Sequence, residues 1–262
     1  MASKKPSSGR GGPANARQAK IQAAQKTSGG GANKIVIATV VAILAIVGTI
    51  GGVIWKQQAE TDKITAGGKA VPVGSAMGQG FRAYADVTPV AGAPKVDLYE
   101  DFQCPGCRSF EEILGPTVEE QAKAGKVELT YHVKNFLDDR YPGAHSTRAA
   151  IGAFCASDAG KFQEFHDAVF ANQPAVEGVG WTDAQLKGFA EDSGITGTAL
   201  TTWESCLKAQ KYANYVNSVE EASFKDGIQG TPSMRINGKD INITEEASSP
   251  ELLTALFDAA RS

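Results

Sequence analysis

One stretch constrains this chain more than any other: Asp101-Phe102-Gln103-Cys104-Pro105-Gly106-Cys107-Arg108. An apolar run, Val96-Asp97-Leu98-Tyr99, leads into it, and an amphipathic segment from Cys107 to about Lys123 leaves it. Two cysteines three positions apart, between a strand and a helix, have the arrangement of a redox dithiol. Pro105 suits the first turn of that helix, where a missing N–H loses no hydrogen bond. Cys104 then stands over unpaired N–H groups, and the positive end of the helix dipole favours a thiolate there. A thiolate is the species that attacks disulfides. The competing reading gives Cys104 and Cys107 to zinc, which needs a second ligand pair at short spacing. Cys155, Cys206, His132, His145 and His166 are scattered instead. No metal and no other cofactor is expected.

The charge distribution places this dithiol. Residues 1–34 carry seven Lys and Arg (Lys4, Lys5, Arg10, Arg17, Lys20, Lys26, Lys34) and no acid. Gly, Ser, Ala and Gln fill most of the rest, the composition of a disordered arm. Ile35 to Trp55 then runs 21 residues without a charge, long enough to cross a bilayer as a helix. The positive flank is N-terminal, so the arm is expected in the cytoplasm and residues 56–262 outside it, with 35–55 as a single-pass anchor. A cleavable signal peptide is the rival; its apolar core is shorter and is followed by a small-residue cleavage site. Either way the domain is exported. Beyond residue 34, 19 of the 26 Lys and Arg remain against all 29 acidic residues, a formal charge of −10. That excludes nucleic acid as a natural partner and favours solubility. Cysteines in an exported domain can persist as disulfides.

Residues 56–76 are polar, with Gly67-Gly68, Pro72 and Gly74, and read as a tether. Phe81 to Val87 alternates weakly as a first strand, and Lys95 to Tyr99 is the second. The helix opened at Cys104 meets Gly115-Pro116, which should kink or end its first half. Val127 to Val133 is the next strand. Four segments with apolar spacing of three or four follow, 146–156, 161–171, 183–191 and 199–211, then a helical stretch over 212–224. A Gly-rich loop, Gly227-Ile228-Gln229-Gly230-Thr231-Pro232, precedes a strand at 233–236, the hairpin turn Asn237-Gly238 and a strand at 240–243. Pro250 starts the last helix. An α/β order of strand, helix, strand, helical block, two strands and helix is that of a thioredoxin fold carrying a large all-helical insertion at about 142–225.

With these pieces placed, residues 77–262 resemble the DsbA-type thiol–disulfide oxidoreductases, in particular the membrane-tethered ones of Gram-positive bacteria. The resemblance rests on Asp101–Cys107 (DFQCPGC), on Gly227–Gly238 (GIQGTPSMRING) and on the helical insertion between them. It implies that Cys104 attacks and that Cys107 is the buried resolving thiol. Thr231-Pro232 matches the family's cis-proline loop, which binds extended substrate. It implies further that the domain introduces disulfides into unfolded or reduced exported proteins and is reoxidised by a quinone-linked membrane partner, DsbB- or VKOR-like. Cys155 and Cys206 match a second, structural disulfide of some relatives; two buried free thiols are the alternative.

The site's tuning is less settled at this level. Pro105-Gly106 has no histidine to stabilise the Cys104 thiolate, which leaves the helix dipole and Arg108, if it turns inward. The family's buried acid, six residues before the first cysteine, is replaced by Leu98. Glu100, two residues on, is a candidate base against the plainer reading of a solvated acid. His132, His145 and His166 read as packing or capping residues, and Trp181, Trp203, Phe154 and Phe165 as insertion core. Two other functions stay open: an isomerase or reductase held reduced, and a tethered binding or chaperone module with incidental redox activity.

Overall fold

The computed structural model describes residues 70–261, together with Ile37, Ala38 and Val40, which are helical. Apart from those three residues, the expected anchor at 35–55 and the basic arm lie outside the described residues. Among the described residues no helix is long and apolar enough to cross a membrane.

Five strands, β1 (Phe81–Arg82), β2 (Lys95–Glu100), β3 (Glu128–Val133), β4 (Ser233–Ile236) and β5 (Lys239–Ile241), form one sheet in the order β1-β3-β2-β4-β5. β2 is central, parallel to β3 and antiparallel to β4. Its apolar residues are therefore covered on both sides: Leu98 is opposite Tyr131 and Met234, and all three are buried. A parallel β2–β3 pair requires a crossover. Here α1 (Pro105–Ile113) and α2 (Gly115–Lys123) supply it, so the helix that carries the dithiol is held between the two central strands. The break between α1 and α2 falls at Leu114, where Pro116 has no N–H to continue the helical ladder.

The helical block consists of α3 (His145–Ser157), α4 (Phe162–Ala171), α5 (Asp183–Asp192), α6 (Gly197–Lys208) and α7 (Ala213–Lys225). Residues 149–156 of α3 are all buried, and the small side chains Ala149, Ala150, Gly152, Ala153 and Ala156 let neighbours approach closely. At Gly152 a Cβ would lie 2.8 Å from the Phe165 ring of α4. Trp203 of α6 donates its indole N–H to the same residue's carbonyl at 2.9 Å. The architecture is thus a thioredoxin fold whose helical insertion packs around one small-residue helix.

Three elements differ from expectation. The strand expected over 81–87 stops at Arg82, because β1 is an edge strand paired only through Phe81 and Arg82, and the chain turns at Tyr84. Phe136–Asp139 forms a 3-10 turn. The last strand ends at Ile241, since the Glu246 side chain accepts the Asn242 N–H and turns the chain into α8 (Ile243–Glu246). Asn237 and Gly238 both take positive φ, 51° and 79°, as a two-residue hairpin of this kind requires. Ser249 caps α9 (Pro250–Ala259) by accepting the Leu252 N–H.

Candidate active site

Cys104 is the N-cap of α1, with extended backbone (φ −74°, ψ 118°) and Pro105 following. Its sulfur lies 3.3 Å from the Thr231 carbonyl oxygen, and the Thr231–Pro232 peptide is cis. Sheet pairing makes this contact between residues 127 apart: β2 delivers the dithiol and its antiparallel neighbour β4 begins directly after Pro232. Gly106 is where the two loops meet. A Cβ there would stand 3.1 Å from Pro232 Cδ and 3.6 Å from the Cys104 sulfur. Cys104 and Cys107 are both free thiols, Cys104 8% exposed and Cys107 0%.

The two thiols are unlike. Cys104 is lowered from an ordinary 9.0 to about 6: a hydrogen bond from Cys107 contributes most, burial opposes it, and the N–H groups of Cys107 and Gly106 add to it. Cys107 is driven well above its ordinary value by burial, by its bond to Cys104 and by the charge of Glu100. At neutral pH the proton therefore sits on Cys107 and the negative charge on Cys104, which is the division a nucleophile and its resolving partner need.

Arg108, a candidate to tune the thiolate if it turned inward, runs along α1 instead. Its Nε bonds Glu112 at 2.7 Å and a terminal nitrogen reaches the Gln173 carbonyl at 3.4 Å. Backbone N–H groups and Cys107 stabilise the thiolate in its place.

A buried polar frame that the sequence reading missed holds the motif. Asp101, fully buried, accepts the Gln103 N–H at 2.9 Å, the Leu137 N–H at 3.2 Å and the Ser146 hydroxyl at 2.5 Å. Burial raises it to about 7 against those three bonds. Gln103 donates to Ser146 and Asp138, and Asp138 accepts the N–H groups of Ser146 and Thr147 at the start of α3. Gln173, past the end of α4, donates to the carbonyls of Phe102 and Cys104 at 2.7 and 2.9 Å. The dithiol is thereby fixed to the helical block as well as to the sheet. Asx side chains next to a CxxC were the available signal for Asp101; nothing local marks Gln173.

Glu100 is not a solvated acid. It is 2% exposed, and its Oε2 meets Nε2 of the fully buried His166 at 3.0 Å. His166 is accordingly more than a packing residue: its Nδ1 lies 3.1 Å from Asp167. Glu111 comes in from α1, one turn after Cys107. The donor atoms of Glu100, Glu111 and His166 lie within 4.8 Å of one another, the group of this kind among the described residues. By residue type the trio could hold a cation. Both ring nitrogens of His166 face carboxylates, an arrangement that favours the protonated ring as donor to each. Burial alone would lower His166; the bonds to Asp167 and Glu100 and the charge of Glu111 hold it well above the ordinary imidazole range.

The remaining candidates lie away from the dithiol. Cys155 and Cys206 form a disulfide between α3 and α6, Cα–Cα 5.9 Å. His132 pairs with Asp97 at 2.9 Å and stacks on Tyr99. His145 opens α3. Phe154, Phe165, Trp181 and Trp203 are core.

A helix-capping thiolate, a buried partner thiol and a cis-proline loop across from them, on this sheet order, define a thioredoxin-type dithiol protein. Comparison with known proteins agrees: a family model described as Thioredoxin matches residues 89–259. A crystal structure of oxidised DsbA from Mycobacterium tuberculosis superposes with a TM-score of 0.56 at 30% identity, covering 67% of this chain and 89% of that one. The thiol:disulfide interchange protein DsbA of Escherichia coli K12 is 29% identical over 159 residues, 58% of this chain and 69% of its own. The chain belongs to the thioredoxin family and, within it, to the DsbA-like thiol–disulfide oxidoreductases. It is also 29% identical over 121 residues to the serine/threonine-protein kinase PknE of Mycobacterium tuberculosis, spanning 44% of this chain and 21% of the kinase's length.

Proposed function

We propose that the protein is a dithiol oxidase acting on exported proteins. A substrate thiolate attacks the Cys104–Cys107 disulfide at Cys104; Cys107 leaves and takes up a proton. The second substrate thiolate then attacks the substrate sulfur of the mixed disulfide, and Cys104 leaves as thiolate. Two electrons pass from substrate to the cysteine pair. The observation that carries this reading is the place of Cys104 as N-cap of α1, facing the N–H groups of Gly106 and Cys107, with its thiol lowered to about 6. A stabilised thiolate stabilises the reduced form, and so makes the disulfide a stronger oxidant. The Thr231-Pro232 loop offers backbone groups to an extended substrate next to the reacting sulfur.

Residues 35–55 would tether the domain outside the cytoplasm, where a quinone-linked membrane protein of the DsbB or VKOR kind would return the pair to the disulfide. The uncharged span and its basic N-terminal flank support that placement. Oxidised protein incubated with a reduced, unfolded multi-cysteine protein should restore its disulfides; no acceleration over glutathione alone would sink the reading. The reduction potential decides direction, with a value of about −120 mV favouring the oxidase and about −270 mV a reductase.

A further inference from the structure

Three side chains from three elements converge inside the fold: Glu100 at the end of β2, Glu111 of α1 and His166 of α4. One donor atom from each lies within 4.8 Å of the other two. Glu100 and His166 are 2% and 0% exposed, so the cluster is closed to bulk water. His166 Nε2 and Glu100 Oε2 stand 3.0 Å apart, about the separation of neighbouring ligands that each bond one ion at roughly 2.1 Å. A Cβ at Gly115 would run into the Glu111 carboxylate, so the glycine leaves that group its place.

Hydrogen bonds within the cluster do not satisfy it. Oε1 of Glu100 and Oε1 of Glu111 are both buried with no partner, a costly condition for carboxylate oxygens. A proton on His166 Nε2 serves Glu100 Oε2 and leaves both Oε1 atoms as they are. A divalent cation takes a lone pair from all three side chains at once.

The surroundings of His166 are those of a metal ligand. Its Nδ1 lies 3.1 Å from Asp167 Oδ1. A ligating histidine usually donates its other ring N–H to a carboxylate, which fixes the ring and aims the free nitrogen at the ion. Asp167, its side chain 48% exposed, supplies that contact from outside the cluster. Gln163, its amide nitrogen 3.5 Å from His166 Nδ1 and 2.8 Å from Asp167, also lines a cavity of 470 Å³. Solvent thus comes within one side chain of the ring, through an opening where Asp86, Glu119 and Glu164 outnumber Arg82 and Lys123.

We propose that Glu100, Glu111 and His166 bind a divalent first-row cation, with Asp167 positioning the imidazole. One nitrogen and two carboxylate donors suit zinc, whereas calcium and magnesium take oxygen ligands. On binding, His166 releases its Nε2 proton to solvent and turns that lone pair to the ion. The ion joins β2, α1 and α4. No short-spaced ligand pair marks the site in the sequence, because each donor comes from a different element. The site needs no cysteine and is independent of the oxidase reading.

The test uses untagged protein with the Cys104–Cys107 disulfide closed, so that, with Cys155–Cys206 also paired, no thiol is left to bind metal. Chelator-stripped protein is incubated with zinc chloride, freed of loose metal by gel filtration, and its zinc counted by elemental mass spectrometry. One zinc per chain is expected, with a thermal midpoint raised by zinc and not by calcium. Glu111→Gln and His166→Gln should retain no stoichiometric zinc and lose the rise. Asp167→Asn, at an exposed position outside the ligand set, should bind zinc roughly 10–100-fold more weakly by calorimetry; it decides the matter if the buried variants do not fold. Absence of stoichiometric zinc in the wild type, undiminished zinc in folded His166→Gln, or wild-type affinity in Asp167→Asn would each overturn the site, as would an equal thermal rise with calcium.

Discussion

At Cys104 a single backbone position concentrates the chemistry. Being the N-cap of α1, it faces the N–H groups of Gly106 and Cys107 that the helix leaves unpaired. Ultraviolet titration of the reduced protein should find a thiolate with a midpoint of about 6; a midpoint near the ordinary thiol value, about 8.5, would count against the geometry. The same shift predicts stability. Between pH 6 and 9 the unfolded thiol binds a proton that the folded one has released, so the reduced protein gains stability as pH rises through that window. The gain, on the order of a few kcal/mol, is lost as pH falls through 6. The oxidised protein has no such thiol, and denaturant melts of the two forms across pH should diverge accordingly. Gly106→Ala would place a methyl 3.1 Å from Pro232 Cδ. The loop must then yield and the Thr231 carbonyl draw away from the Cys104 sulfur, which titration of the variant would register as a changed midpoint.

Elements are tied to one another by few, buried polar contacts. Asp101 joins the end of β2 to α3 through Ser146 and to the 3-10 turn through the Leu137 N–H. Asp101→Ala leaves those donors and the Gln103 N–H without an acceptor, and should cost about 3 kcal/mol or more in urea unfolding. The disulfide from α3 to α6 closes a separation of 51 residues. Changing Cys155 and Cys206 to Ser should remove about 4 kcal/mol by loop entropy, while leaving the Cys104 titration in place. A change at Cys104 in that variant would mean that the helical block, and not α1 alone, sets the thiol. The boundaries of α4 to α7 were legible because each buries one stripe at helical spacing, whereas α3 is buried on every side over 149–156. The 3-10 turn and α8 were not legible, since side chains capture backbone groups there, Asp101 the Leu137 N–H and Glu246 the Asn242 N–H.

On the scale of the whole molecule, charge and hydropathy divide the chain into a basic arm, an uncharged span and an acidic domain of formal charge −10. If the span at 35–55 anchors the protein, the full chain should sediment with membranes and be released by deleting those residues. The catalytic domain should also be open to protease added outside the cell. Sedimentation unaffected by the deletion would exclude the anchor.

The dithiol, its place at a helix start, the proline loop and the order of strands and helices were all determined by the sequence itself. Each is set by local chemistry: the spacing of two cysteines, a proline in a first turn, periodic burial, Asn-Gly at a hairpin. The fate of single polar residues was decided only by the tertiary structure. Glu100 and His166 are 66 positions apart and become a buried pair only when α4 packs across β2. Arg108, adjacent to the dithiol in sequence, is drawn to Glu112 and Gln173 instead. Whether a carboxylate is solvated or holds a proton depends on which distant groups exclude water from it, and no local pattern carries that.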